Sequence, residues 1–317
     1  MTSFNLERSA RELTEAIAKG PPLTGVSLAD ARKAVEAAQS APISMPDIDE
    51  SWVTLSSAFG DFDVRIVRPQ GSIGLLPVVL YMHGGGWILG SWITHDLLTR
   101  RLAVGANAAV AFVEYSRAPE AKYPVQIEQC YAAARWIMEQ GAGSGFDTTR
   151  IAVAGDSAGG NMSTVLALMA KRRGDVRFVH QSLYYPMTDA NAEDSESLRK
   201  FKDGPYGSAE GLVWFWSSYL ASEESRSDIF VSPLQATLSD LEGLPPALVI
   251  VDENDALRDQ GETYANKLRD AGVPTTCVRF NGTIHDFMRL NALRDSESTR
   301  AAISLAITAL RRAFGTE

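Results

Sequence analysis

Apolar positions change their spacing several times along the chain. Leu6, Ala10, Leu13 and Ile17 recur at helical intervals and predict one face of a short amphipathic helix. Ser27 to Asp30 has the form of a capping box, and Leu28, Ala31, Val35 and Ala38 stripe a second helix before Pro42 and Pro46 break the pattern. Beyond that the period shortens. Asp61–Arg68 alternates polar and apolar side chains, as a half-exposed strand does. Pro77–Met82, Ala108–Val113 and Ile151–Ala154 are short, mostly apolar runs of the kind covered on both faces of a parallel sheet. Helical stretches at Thr94–Val104, Val125–Gln140 and Ala158–Arg172 separate them. Repeated strand–helix units predict an α/β fold, with a mostly parallel sheet wound by helices on both sides.

Between Asn191 and about Asp240 this rhythm is interrupted. The stretch is polar at first and then carries Trp214, Phe215, Trp216 and Tyr219 close together. Alternation resumes with a strand at Ala247–Val251, a helix at Gln260–Ala271 and a strand at Thr275–Phe280. A last helix follows, with Ile303, Ile307, Leu310 and Phe314 on one face. Four stretches are expected: N-terminal cap helices at 1–50, a first part of the core at 51–190, a cap insertion at 191–240 and the rest of the core at 241–317. An insertion after a strand of an open α/β sheet lies over the strands' carboxyl ends, where ligands bind, so it reads with the N-terminal helices as a lid.

Composition narrows the function. At 317 residues, 45% hydrophobic and 22% charged, the chain has an ordinary globular make-up. Its net charge of −9 offers no basic footprint for nucleic acid. The longest basic run, Lys171, Arg172 and Arg173, falls where a helix should end and reads as a solvated terminus. Cys130 and Cys277 form no Cys-x-x-Cys pair, so cysteine metal and redox sites are not expected, and a reduced cytoplasmic protein is. Glu7, Arg8, Arg11, Glu12, Glu15 and Lys19 fall within the first twenty positions, unlike a secretory leader, and no apolar run reaches the ~18 residues of a membrane helix, so no stable membrane insertion is expected.

Chemistry enters at two glycine-rich turns. Gly155-Asp156-Ser157-Ala158-Gly159 has the G-x-S-x-G pattern, which composition alone would produce roughly 0.2 times by chance. Its setting is more telling, because it closes a predicted strand and opens a predicted helix, as a nucleophile elbow must. The competing reading is a glycine-rich turn that binds phosphate or merely turns. His83-Gly84-Gly85-Gly86-Trp87 follows another strand, and consecutive glycines leave backbone N–H groups free to turn towards developing negative charge. The amides of Gly84 and Gly85, with that of Ala158, are the expected oxyanion donors. His83 precedes the loop and reads as a hydrogen-bonded post that holds it. A serine nucleophile also needs a base and an orienting acid, which follow it in this kind of sheet. Of the four histidines only His180 and His285 come after Ser157. His180 falls at the start of a strand, so elimination favours His285. The acid should follow the strand Ala247–Val251, where spacing leaves Asp252 and Asp255 both open. Asp259 reads as a helix cap or surface charge.

His83–Trp87, Gly155–Gly160 and Asp255-Ala256-Leu257-Arg258-Asp259 resemble the motifs of the hormone-sensitive-lipase-like (family IV) esterases of the α/β-hydrolase superfamily. The resemblance runs from about Trp52 to the C-terminus and implies Ser157 as nucleophile, Asp255 as acid and His285 as base. It thereby chooses Asp255 over Asp252. The chain departs from the family at Ala256, where Pro is common, at Asp286, where Gly is common, and at Ser116 and Arg117. Asp286 sets a carboxylate beside the base.

The expected activity is a serine carboxylesterase acting on short-to-medium acyl esters through an acyl-enzyme, with a small-molecule ester as partner and no cofactor or metal implied. Trp87, Trp92, Tyr184, Tyr185 and Trp214, with Tyr206 and Trp216, are candidates for an apolar substrate pocket, against the alternative that the lid aromatics pack the lid's own core. An amidase or peptidase with the same triad and a non-catalytic small-ligand receptor are the competing functions, and a homodimer is compatible with all of them.

Overall fold

The computed structural model describes residues 4–191 and 195–317. Residues 1–3 of the predicted N-terminal cap and 192–194 of the predicted insertion lie outside the described residues. Among the described residues, eight strands form one sheet: β1 (Ile48–Leu55), β2 (Phe62–Pro69), β3 (Leu76–Met82), β4 (Ala109–Glu114), β5 (Phe146–Asp156), β6 (His180–Tyr184), β7 (Ala247–Asn254) and β8 (Thr275–Ile284). Their order is β1-β2-β4-β3-β5-β6-β7-β8. β2 runs antiparallel to both β1 and β4, and all other neighbours are parallel.

Ten α-helices accompany the described strands: α1 (Arg8–Ile17), α2 (Leu28–Gln39), α3 (Trp92–Ala106), α4 (Val125–Gln140), α5 (Ala158–Arg173), α6 (Glu196–Phe201), α7 (Ala209–Tyr219), α8 (Leu238–Leu241), α9 (Arg258–Asp270) and α10 (Glu297–Phe314). Alternation along the central strands feeds a core on each face. From β3, Val78, Leu80 and Met82 pack with α4 and α5 side chains such as Ile127, Val165 and Met169. Val79 and Tyr81 point the other way, to Leu98 and Leu102 of α3 and Ile303 and Leu310 of α10. A third cluster joins α9 to β7 through Tyr264, Leu268, Val249 and Val251. Among the described residues, no helix is long and apolar enough to cross a membrane.

Three local expectations need correction. β1 begins at Ile48, inside the stretch read as helical cap. It is an edge strand, largely exposed, so its burial produces no clear alternation. β2 is not half-exposed. It lies between β1 and β4, and Phe62, Val64, Ile66 and Val67 are buried along with Arg65, whose guanidinium is paired with Glu50 and Asp96. In α1 the buried positions are Ala10 and Thr14, while Ile17 ends 47% exposed where the helix runs out into solvent.

The carboxyl ends of β5, β7 and β8 converge on one edge of the molecule. The N-terminal segment is tied to that edge by directional bonds. Glu7 N donates to Gly282 O at 2.9 Å, and Asn254 Nδ2 donates to Asn5 O at 2.9 Å and Thr283 O at 3.1 Å. At the end of α2, the Gln39 amide donates to Arg289 O at 2.7 Å. Arg32 of α2 donates to Ile88 O at 2.8 Å and Ala118 O at 2.9 Å.

Candidate active site

β5 runs directly into α5 through a sharp bend at Ser157, whose backbone is held at φ 54° and ψ −117°. A non-glycine residue in that region is strained and persists only where its surroundings fix it. They do: Ser157 N donates to Tyr184 O at 2.8 Å, and its carbonyl accepts from Asn161 N and Met187 N. The bend also needs close approach of the chain to β3. A Cβ on Gly159 would lie 2.0 Å from Met82 O, so no side chain fits there. The small residues of the turn are therefore a packing requirement as much as a motif.

His285 follows β8 and faces the serine. Its Nε2 stands 2.9 Å from Ser157 Oγ, and its Nδ1 donates to Asp255 Oδ2 at 2.8 Å. Asp255 follows β7, is nearly fully buried, and is fixed in turn by Leu257 N at 2.9 Å from Oδ1. The imidazole has thus one nitrogen on a carboxylate and the other on a hydroxyl. Burial opposes its protonation, but the Asp255 and Asp286 charges and the Asp255 hydrogen bond outweigh that and raise it to about 9. Asp252, fully buried next to Asp255, has both carboxyl oxygens without a hydrogen-bond partner among the described residues. Burial first, then the charges of Asp255 and Asp286, push it well above the usual carboxylate range. Asp252, Asp255 and His285 together place three potential metal-ligand atoms within 4.8 Å. Both imidazole nitrogens are already directed at Asp255 and Ser157, so the cluster is a hydrogen-bonded relay rather than an open ligand set.

The loop after β3 lies across the bend. Gly85 takes φ +100°, and a Cβ there would meet the Leu89 backbone at 2.6 Å, so glycine is required. The amides divide unequally. Gly84 N donates to Asp156 Oδ1 at 3.1 Å, so its N–H is committed within the scaffold and the expectation that it serves an oxyanion is corrected. The amides of Gly85, Gly86 and Ala158 find no acceptor among the described residues. Nothing in a run of three glycines says which N–H a distant carboxylate will take and which will stay free. Asp156 makes that choice. It is fully buried, accepts from Tyr81 Oη at 2.8 Å and meets His95 Nε2 at 3.1 Å. Burial works against its charge, but His95, Arg289 and Tyr81 overcome this and hold its carboxyl below the usual range. His83 Nδ1 donates to Gly84 O at 2.8 Å, and its ring stacks on Tyr115 at 4.2 Å. Burial lowers it to about 3, so it stays neutral.

The candidate pocket aromatics separate. Tyr185 lies edge-on to His285, ring centroids 5.0 Å apart. Tyr206 donates to Asp286 Oδ2 at 3.4 Å. Trp214 stacks with Phe215 on α7, and Phe215 presses on the glycine loop so closely that a Cβ on Gly86 would lie 2.2 Å from its ring. Trp87 and Tyr184 are instead fully buried, Trp87 stacked on Tyr219 at 4.1 Å with Trp216 at 4.6 Å. Trp92 packs against Trp52 and Arg65 near the β1 edge. A surface cleft lined by Val53, Leu55, Arg135 and Trp136 also lies at that edge, formed by side chains other than the relay's, whereas Ser157 is only 5% exposed. His180 bonds Ser182 Oγ at 3.0 Å within β6, and Asp259 caps α6 by accepting from Ser197 N at 2.7 Å.

Residues 79–289 match the family described as the alpha/beta hydrolase fold. Carboxylesterase NlhH of Mycobacterium tuberculosis is 37% identical over 292 residues, which cover 92% of this chain and 90% of that protein. An ethyl acetate hydrolase of Pseudomonas putida is 36% identical over 233 residues, 73% of this chain and 72% of that one. Among solved structures, a thermostable esterase from Pseudomonas putida ECU1011 has a TM-score of 0.96 at 40% identity, with 99% of both chains covered.

Proposed function

This chain belongs to the α/β-hydrolase family, in which it is a serine carboxylesterase working through an acyl-enzyme, and from that premise we propose a substrate range and a role for each site residue. Ser157 Oγ attacks the ester carbonyl while His285 Nε2 takes its proton, and Asp255 holds the tautomer and stabilises the imidazolium. The amides of Gly85, Gly86 and Ala158 receive the oxyanion, a contribution on the order of 10²–10³ in turnover per donor in a well-studied protease. His285 then protonates the departing alkoxide and later activates water. The observation that carries this is the unbroken relay from Asp255 to Ser157 through both nitrogens of one imidazole.

The substrates are esters of short to medium acyl chains. Phe215 against the glycine loop and Tyr185 edge-on to His285 are bulky rings packed around the reacting groups, and the similarity to an ethyl acetate hydrolase supports the same range. A chromogenic p-nitrophenyl acyl series with a matched anilide tests reaction class and depth together. Butanoyl ester should be turned over faster than dodecanoyl, and the anilide far more slowly than either. Ser157→Ala should lose on the order of 10⁴ or more in kcat. Wild-type turnover by that variant would end the assignment, and faster dodecanoyl hydrolysis would end the proposed range.

A further inference from the structure

Asp286 directly follows the catalytic histidine and adopts φ 70°, a left-handed conformation that glycine would hold at less cost. Its two oxygens have different fates. Oδ2 is fixed by an ion pair with the Arg289 guanidinium and by the Tyr206 hydroxyl at 3.4 Å. Oδ1 is buried, in a residue only 5% exposed, and has no hydrogen-bond partner among the described residues. It stands 3.7 Å from His285 Nε2, the nitrogen that serves the reaction. That gap is shorter than two hydrogen bonds laid end to end, so a single oxygen atom can lie within hydrogen-bonding distance of both groups. A buried acceptor kept unpaired at the reacting nitrogen, on a strained backbone, is an unfavourable arrangement for packing alone.

We propose that Asp286 positions the water that cleaves the acyl-enzyme, a role that rests on the serine carboxylesterase reading above. One O–H of the water faces Nε2 and the other donates to Asp286 Oδ1, which aims the oxygen lone pair at the acyl carbon. The new C–O bond forms as the first proton moves to Nε2, while the second stays on the attacking oxygen. When the tetrahedral centre collapses, the C–Oγ bond breaks, Nε2 returns its proton to Ser157 Oγ, and the carboxylic acid departs with the other. An alcohol has only one O–H, which Nε2 takes, and it would turn an alkyl group towards Oδ1. Asp286 therefore favours water over alcohol as acyl acceptor.

The ratio of hydrolysis to methanolysis reads this directly, and it does not depend on how much of a variant preparation is folded. The full chain is given p-nitrophenyl butanoate in buffer containing methanol, and butanoic acid and methyl butanoate are quantified. In the wild type, phenyl butanoate should give the same ratio, since both esters pass through one butanoyl-enzyme. Unequal ratios there would overturn the acyl-enzyme premise itself. With that signature intact, Asp286→Gly should lower the acid-to-methyl-ester ratio about tenfold, the scale of losing a charge-assisted hydrogen bond. Asp286→Asn keeps an acceptor oxygen without the charge and should fall between the two. A ratio unchanged or raised in these variants overturns the proposal, and the near-isosteric Asn variant decides the matter if the Gly variant does not fold.

Discussion

The nucleophile side and the acid–base side of the triad are built by different means. Ser157 owes its pose to neighbours in sequence: the strand that ends at Asp156, the helix that starts at Ala158, and the missing side chain at Gly159. Asp255 and His285 lie 30 residues apart, at the ends of two parallel strands, and what aligns them comes from further away. Asn254 ties the loop after β7 to Asn5 and Thr283, Glu253 Oε2 accepts from Gly282 N at 2.7 Å, and Gln39 bonds both Arg289 and Asn291. One side is a local backbone shape; the other is a set of long-range hydrogen bonds. Local shape should fail all at once, and a distributed set of ties should fail by degrees.

Gly159→Ala is the most severe way to break the first side. Its Cβ would occupy space 2.0 Å from Met82 O, a backbone atom of a central strand that cannot swing aside. Overpacking of this kind costs about 1–3 kcal/mol or more, and displacing the serine by even an ångström costs about 10² in rate. We expect a lower Tm together with hydrolysis reduced at least 10²-fold. A variant with wild-type Tm and kcat would show that the bend does not depend on this contact.

Asn254→Ala loosens the other side by one tie. It removes two bonds and leaves Thr283 O, two residues before His285, without that donor. The remaining ties through Glu253 and Gln39 should keep the loop in place, so kcat should fall about tenfold while KM stays close to wild type, in line with a modest misalignment of the base. Unchanged kcat would mean the loop is held by packing alone, and total loss would make this a single critical bond rather than one of several.

The same contrast explains what could be read from the chain before its fold was known. The elbow, the glycine loop and the alternation of β3, β4 and β5 are contiguous patterns, governed by short-range sterics and burial on both faces. His285 emerged by elimination, and Asp255 over Asp252 only through resemblance, because which of two neighbouring carboxyls meets an imidazole 30 residues on is a matter of tertiary geometry. β1 was hidden because an exposed edge strand has no buried face to impose a period. The commitment of Gly84 to Asp156 was equally out of reach, since it pairs atoms 72 residues apart. Trp87 and Tyr184 look like pocket residues by type, yet ring stacking and burial place them in the core.

The smallest effect tests whether the acid–base side has one acid or two. Asp252 and Asp255 each place a carboxyl oxygen within 4.8 Å of an imidazole nitrogen, but their environments differ. Asp255 accepts bonds from His285 and Leu257, whereas Asp252 has no partner among the described residues, and burial with its charged neighbours disfavours its charged form. A carboxyl whose charged form is disfavoured adds little charge to steady an imidazolium. His285 must be unprotonated to act as base, so kcat/KM should rise with pH through a midpoint near 9, set by burial, Asp255 and Asp286 against Arg289, with Tyr185 edge-on. Asp252→Asn exchanges a carboxyl whose charged form is disfavoured for a neutral amide of nearly the same shape. It should leave kcat/KM within about threefold, given a swap that conserves volume, and leave the midpoint in place. Removing a charged neighbour instead would move the midpoint down by about one unit, so that activity appears at lower pH. The same substitution at Asp255 should cost on the order of 10⁴, the scale reported for the orienting acid of a protease triad. Equal losses at the two positions, or a shifted midpoint for Asp252→Asn, would mean the two carboxyls act as one unit and that the acid is shared between them.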